Sequence, residues 1–158
     1  YNTSLKVNPP LRTAEDAQAI IEGVLDGSVD AIVTDHAPHA DWEKAREFEL
    51  APFGMIGIEA SLALINTNLV KTGKMGYGKL VELMSINPRK ILGVEPVSIE
   101  AGSLADITVF DADVEWTVGE DGYVSHAKNC GFAGTKVTGR ATDVFVGGKQ
   151  TLKNGAIC

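Results

Sequence analysis

Residues 5–35 switch between two hydrophobic periods, and that switch limits the folds open to the chain. Leu5 to Asn8 reads as a short strand, stopped by Pro9-Pro10. Thr13 then opens a helix, with its hydroxyl placed to cap the first turn and Asp16 at the reciprocal capping-box position. Ala17, Ile20, Ile21, Val24 and Leu25 follow at helical spacing, and Gly27 is the expected stop. Asp30 to Asp35 is a short β-branched run. Strand, helix, strand is the unit from which parallel sheets are built.

The pattern changes further on. Asp41 to Glu49 is a charged loop, expected as a solvated face or a mobile lid. A long helix is predicted from about Ile58 to Lys71, another over Tyr77 to Ser85, and a short one from Asn87-Pro88 to Gly93. After residue 97, β-type runs and Gly-rich turns dominate. Ala105 to Phe110 alternates and runs into an Asp-rich turn, and Glu115 to Val118, Lys136 to Arg140 and Thr142 to Val146 are further strands. Gly147-Gly148 is a tight hairpin turn from which Lys149 to Leu152 returns. The expected division is an α/β part over residues 1–96 and a small β part over 97–158.

Composition excludes several classes. Hydrophobic residues at 44% and charged residues at 22% suit a globular chain and not a disordered one. No apolar run approaches the roughly 20 residues that span a bilayer, and no secretory leader pattern is present. The net charge of −7 argues against nucleic acid, whose phosphates call for a basic face, and suits a cytoplasmic surface. Cys130 and Cys158 are too few for a disulfide framework. The first residue is Tyr1, which leads to the expectation of a processed or truncated product.

The chemistry-bearing residues collect near the ends of the two early strands. Ala31, Val33 and Asp35 share one strand face, and Ile32, Thr34 and His36 the other. In a β/α barrel the last residue of a strand reaches the mouth, where such enzymes keep their sites. Asp35 stands there, able to ligate a metal or exchange a proton; it also reads as a turn or helix-capping residue. His39, beyond Pro38, could hold an anionic group or a metal, or simply be an exposed loop histidine. His36 reads as packed behind Asp35, and His126 as structural or exposed. Asn8 ends the first strand at the height of Asp35, with an amide able to serve a carboxylate or imide. Ala51-Pro52-Phe53-Gly54 could bring backbone close to a ligand or be a plain loop.

Lys6-Val7-Asn8-Pro9-Pro10-Leu11-Arg12, Asp35-His36-Ala37-Pro38-His39, Glu43-Lys44 and Ala51-Pro52-Phe53-Gly54 together resemble the bacterial dihydroorotases that are similar to dihydropyrimidinases, within the amidohydrolase superfamily. The resemblance continues through Ser85-Ile86-Asn87-Pro88 and Gly102-Ser103-Leu104-Ala105-Asp106 to Gly147-Gly148-Lys149. It implies an α/β fold: residues 1–96 as the C-terminal part of a (β/α)8 TIM-type barrel, with strands 7 and 8, and residues 97–158 as the C-terminal share of a small β-sandwich. It implies reversible hydrolysis of L-dihydroorotate to N-carbamoyl-L-aspartate in pyrimidine synthesis. Asp35 would be a metal ligand and the general acid/base. Asn8 and His39 would hold the substrate, and the backbone of Pro52, Phe53 and Gly54 would contact its ring. One or two zinc ions, a homo-oligomer and, as a partner, aspartate transcarbamoylase are implied as well.

The family's His-x-His pair, its bridging carboxylate or modified lysine, its two later histidines and its carboxylate-binding arginine have no counterpart here. Only three histidines occur, and a catalytic zinc takes three or more protein ligands. These residues alone are therefore expected to bind zinc weakly and to be inactive, with exposed strand edges and apolar faces. Gly131 stands where the family usually has Pro, and a local loop change is expected there. The alternatives are a related cyclic amidohydrolase (allantoinase or dihydropyrimidinase), against which Asn8 argues, and a non-catalytic dihydroorotase-like scaffold, against which Asp35, Asn8 and His39 argue.

Overall fold

The first helix, α1 (Ala14–Asp26), begins and ends where its residues dictate. The Asp16 amide donates to the Thr13 hydroxyl at 3.2 Å, and the Thr13 amide donates to the Asp16 carboxylate at 3.2 Å. Each bond satisfies a donor that a helix start leaves free. Gly27 closes the helix in the left-handed region at φ 91°. This computed structural model describes all 158 residues as an α/β chain with one open, four-stranded sheet.

The predicted later helices also form, with one modification. Helix α3 (Ile58–Ile65) runs on through a π turn at Asn66–Val70, in which the Lys71 amide reaches the Asn66 carbonyl at 2.8 Å. Helix α4 (Tyr77–Val81) passes through a second π turn (Glu82–Ile86) into α5 (Asn87–Leu92), which Gly93 ends at φ 64°. None is long and apolar enough to cross a membrane.

The two early strands do not form ladders. Residues 3–5 make a 3-10 turn capped by the Asn2 side chain, which accepts from the Ser4 amide at 2.9 Å. The Asn8–Pro9 peptide is cis. Residues 30–35 carry no strand pairing, and the sole parallel bridge here joins His36 to Met55. A β-run becomes a strand only when a neighbour takes its N–H and C=O groups in succession, and here isolated bonds, such as that from the Gly54 amide to the Lys6 carbonyl at 2.9 Å, stand in place of a ladder. Burial still alternates as the pattern requires: Val33 and Asp35 are exposed, while Ile32, Thr34 and His36 are half-buried.

The tail makes fewer and longer strands than its sequence suggests. Strand β1 (Ile107–Thr117) is continuous through the aspartates expected to form a turn. Asp113 faces solvent and pairs with Lys71, and its amide donates to Asp111 at 2.9 Å. Solvation and local bonds satisfy these carboxylates without turning the chain. Strand β2 (Lys136–Val146) likewise absorbs two predicted strands. Gly147 and Gly148, at φ 57° and 79°, make the hairpin to β3 (Lys149–Lys153). Asn154 and Gly155, at φ 49° and 77°, make a second to β4 (Ala156–Ile157). That last strand was missed although Asn-Gly is a strong hairpin signal. The sheet order is β1-β2-β3-β4, with β2–β3 and β3–β4 antiparallel and a register shift at Val144/Phe145. All four strands begin after residue 97.

Contacts gather the chain into two units: Tyr1–Leu62 with Trp116–Val137, and Ala63–Glu115 with Thr138–Cys158. In the second, Leu83 and Asn66 are fully buried. The Asn66 amide donates to the carbonyls of Ala112 at 3.1 Å and Thr138 at 2.7 Å. A Cβ on Gly139 (φ 104°) would lie 2.4 Å from Phe110 Cζ and 2.8 Å from Asn66 Nδ2. Asp106 accepts from the Gly147 amide at 2.7 Å, which fixes the hairpin turn.

In the first unit the charged loop is a solvated face, with Asp41, Arg46, Glu47 and Glu49 exposed, but it is anchored at one buried residue. It folds into the short helix α2 (Asp41–Lys44) and a turn, and Lys44 is buried. Its ammonium donates to the carbonyls of Pro52 at 2.9 Å and Gly54 at 3.0 Å. Lys6, also buried, donates to Phe48 at 2.7 Å, Glu49 at 3.0 Å and Ala51 at 2.7 Å. It lies 4.6 Å from the Phe53 ring centroid, within cation–π range. Burial, and then the charge of Lys6, hold the Lys44 pKa below its usual value.

Two outcomes follow from these contacts. Gly139→Ala is expected to destabilise the fold by about 2–4 kcal/mol, from overpacking and from a positive φ imposed on Ala; a urea midpoint would show it. Lys44→Met leaves the Pro52 carbonyl without its donor and should cost about 1–3 kcal/mol at neutral pH. The unfolded chain holds the Lys44 proton more tightly than the folded one. Stability from this group therefore rises with pH between the lowered native pKa and 10.5. That contribution should vanish in Lys44→Met when urea midpoints of the two proteins are compared across alkaline pH.

Candidate active site

Three stretches of the first unit meet around an open concavity of about 290 Å³, lined by residues that include Asn8, Asp35, Phe53 and Gly54. Their meeting is enforced by the backbone. The Gly54 amide donates to the Lys6 carbonyl at 2.9 Å, and the Ala37 amide to the Met55 carbonyl at 2.9 Å. The turn at Gly54 has φ 119°, and a Cβ there would lie 2.6 Å from Ala37 Cβ and 3.2 Å from His39 Nε2. Only glycine permits that approach.

Asp35 is exposed on the concavity and adopts φ 43°. Asp is one of the few residues that tolerate the left-handed region, and residues held there gather at functional sites. Asn8 lines the same concavity and is also exposed. Phe53 and Gly54 line it, while Pro52 turns its carbonyl to Lys44 instead.

His39 is not among the lining residues. Its Nε2 lies 2.9 Å from the Phe53 carbonyl, to which it can only donate, and its Nδ1 is 3.8 Å from the Glu43 carboxylate. The His39 amide donates to the Asn129 side chain at 3.1 Å. His36 Nδ1 accepts from the Gly57 amide at 3.1 Å, just before α3. His126 is exposed.

No group of three His, Cys, Asp or Glu side chains converges to hold a metal ion. Asp35 offers one carboxylate, His36 Nδ1 and His39 Nε2 are engaged with backbone, and His39 Nδ1 faces the Glu43 carboxylate. These residues alone do not make a zinc site, which needs three or more protein ligands.

Sequence reasoning missed Lys6, Lys44 and Asn129 as builders of this region. A lysine is most often exposed, and nothing in the local pattern distinguishes one whose ammonium meets only carbonyls. Asn129 stands two residues before the Gly131 departure. A Cβ on Gly131 would lie 2.9 Å from Leu5 Cδ2 and 3.0 Å from Met55 Sδ, so the absence of a side chain there accompanies tight packing.

The chain is 47% identical over 153 residues to a dihydroorotase of Geobacter metallireducens, covering 97% of this chain and 36% of that one. It is 43% identical over 157 residues to the dihydroorotase of Caldicellulosiruptor saccharolyticus, covering 99% and 36%. It thus spans about a third of the length of these curated relatives. Among solved structures, an L-hydantoinase (dihydropyrimidinase) from Arthrobacter aurescens superposes with a TM-score of 0.89 at 31% identity, over 97% of this chain and 35% of that one. A D-hydantoinase (dihydropyrimidinase) from Thermus sp. gives 0.87 at 26% identity, over 99% and 35%. The amidohydrolase family profile matches residues 5–151, which is most of the sequence, and the chain belongs to the amidohydrolase family.

Proposed function

We propose that these residues are the C-terminal part of a dihydroorotase, which opens L-dihydroorotate to N-carbamoyl-L-aspartate and closes it again. The observation that carries the reading is the shared concavity of Asn8, Asp35, Phe53 and Gly54, in a chain 40–47% identical to dihydroorotases over nearly its whole length. Residues 1–96 are then the closing part of the barrel, with its strands 7 and 8, and 97–158 part of the small β-sandwich.

Asp35 is the general acid/base in this reading. Its exposed carboxylate accepts a proton from the attacking water and returns it to the ring nitrogen as the amide bond breaks. One group serves both directions because the proton is regained in each cycle. Asn8 offers its amide to the substrate's polar edge, and the backbone of Pro52, Phe53 and Gly54 borders the pyrimidine ring. His39, bonded to the Phe53 carbonyl, has to rotate or use its second nitrogen to meet the substrate carboxylate. A zinc ion, with Asp35 as one ligand and the others from outside these residues, would activate the nucleophile and polarise the carbonyl. A homo-oligomer, a cytoplasmic setting and association with aspartate transcarbamoylase belong to the same reading.

The second reading is a dihydropyrimidinase or hydantoinase, favoured by the superposition on dihydropyrimidinases of that kind. A panel of dihydroorotate, dihydrouracil and hydantoins on the full-length chain separates the two, with dihydroorotate the expected preferred substrate. Asp35→Asn should lower turnover about a hundredfold to ten-thousandfold while the protein stays folded, since Asn also tolerates a positive φ. Near-normal turnover in that variant would remove Asp35 from the mechanism.

A further inference from the structure

Asn129 is 4% exposed, and its one amide group engages two separate loops of the concavity. Its Nδ2 donates to the Ala37 carbonyl at 3.0 Å and the Gly54 carbonyl at 3.3 Å. Its Oδ1 accepts from the His39 amide at 3.1 Å. The Asn129 main-chain carbonyl accepts from the Ile56 amide at 3.1 Å. His39 Nε2 meets the Phe53 carbonyl at 2.9 Å. Asn129, His39, Phe53 and Gly54 therefore form a closed ring of contacts.

We propose that Asn129 is a positioning residue for substrate binding, locking the His39 loop and the Phe53–Gly54 turn in one mutual placement. This rests on the dihydroorotase reading for what those two loops contact. Only a primary amide carries two donors and an acceptor on so short a stem. Asp in its place would keep the acceptor for His39 but set a charge against two carbonyl oxygens. Ser could reach one loop at most. The Gly54 carbonyl keeps Lys44 as a second donor at 3.0 Å, so loss of the amide falls hardest on Ala37 and on the amide of His39. Because these loops border the ligand and do not carry the proton, misplacing them weakens ground-state and transition-state binding together. That is the signature of a raised KM at a nearly constant kcat.

The test uses Asn129→Ser and Asn129→Asp in the full-length, metal-loaded chain. Dihydroorotate kinetics are read beside amide hydrogen exchange over residues 36–40 and 52–56. KM is expected to rise by about tenfold to a hundredfold with kcat within a few-fold, and exchange protection to fall in those two segments alone. An unchanged KM with unchanged local protection would overturn the proposal. So would a lower kcat at constant KM with protection lost throughout, which marks a purely structural residue. Should Asn129→Asp fail to fold, Asn129→Ser carries the same readouts without the buried charge. A wild-type chain inactive on dihydroorotate would sink the dihydroorotase reading, while local loss of protection in Asn129→Ser would still establish the clamp.

Discussion

Capture of backbone carbonyls by two buried lysines is the interaction on which the first unit depends. Residues 48–54 turn through a stretch with no helix or sheet to take their carbonyls. Buried carbonyls without donors are costly. Lys6 takes three of them and Lys44 two. Neither ammonium has a carboxylate partner within its pocket, so each is compensated by oriented dipoles and, for Lys6, by the faces of Phe48 and Phe53. Hydrogen bonds from a charged donor are worth more than neutral ones, which counters only part of the desolvation that still holds the Lys44 pKa below its usual value. The same turn brings Phe53 and Gly54 to the concavity, so loop folding and site geometry have one cause.

The chain's legibility follows from how local each determinant is. The capping box at Thr13, the stop at Gly27 and the Gly147-Gly148 hairpin rest on residues within a few positions of one another, and the structure has all three. Strand pairing is not local. Leu5–Asn8 and Asp30–Asp35 have the residues of strands but no ladder, because pairing depends on a neighbour that a single run cannot specify. The aspartates of β1 misled for a related reason. Asp marks turns because it satisfies backbone groups itself, yet solvent and Lys71 satisfy Asp113 just as well within an extended strand.

The candidate site shows the same division. Asp35, Asn8, Phe53 and Gly54 could be named because their order along the chain places them at the ends of β-type runs and on a glycine turn. Lys6, Lys44 and Asn129 could not, because their roles consist of contacts across 8 to 92 residues of sequence. Their types would be expected at the surface. What marks them in the structure is burial together with satisfaction by main chain and not by opposite charge.

This has a consequence for how the site is held. Only one backbone bridge, His36 with Met55, pairs the stretch that follows Asp35 with the residues after the glycine turn. The remaining links among the three stretches are side chain to backbone, or single amide–carbonyl bonds. Such links fix turns and loop ends whether or not the neighbouring β-runs have found ladders. The concavity is therefore specified by a short set of buried polar side chains, with Asp35 left without a fixed partner at its rim. Asp35 is held there by backbone geometry alone, in a left-handed conformation at φ 43° that keeps it on the lining of the concavity, so the short set of buried polar contacts that fixes the neighbouring loops also fixes where its carboxylate stands.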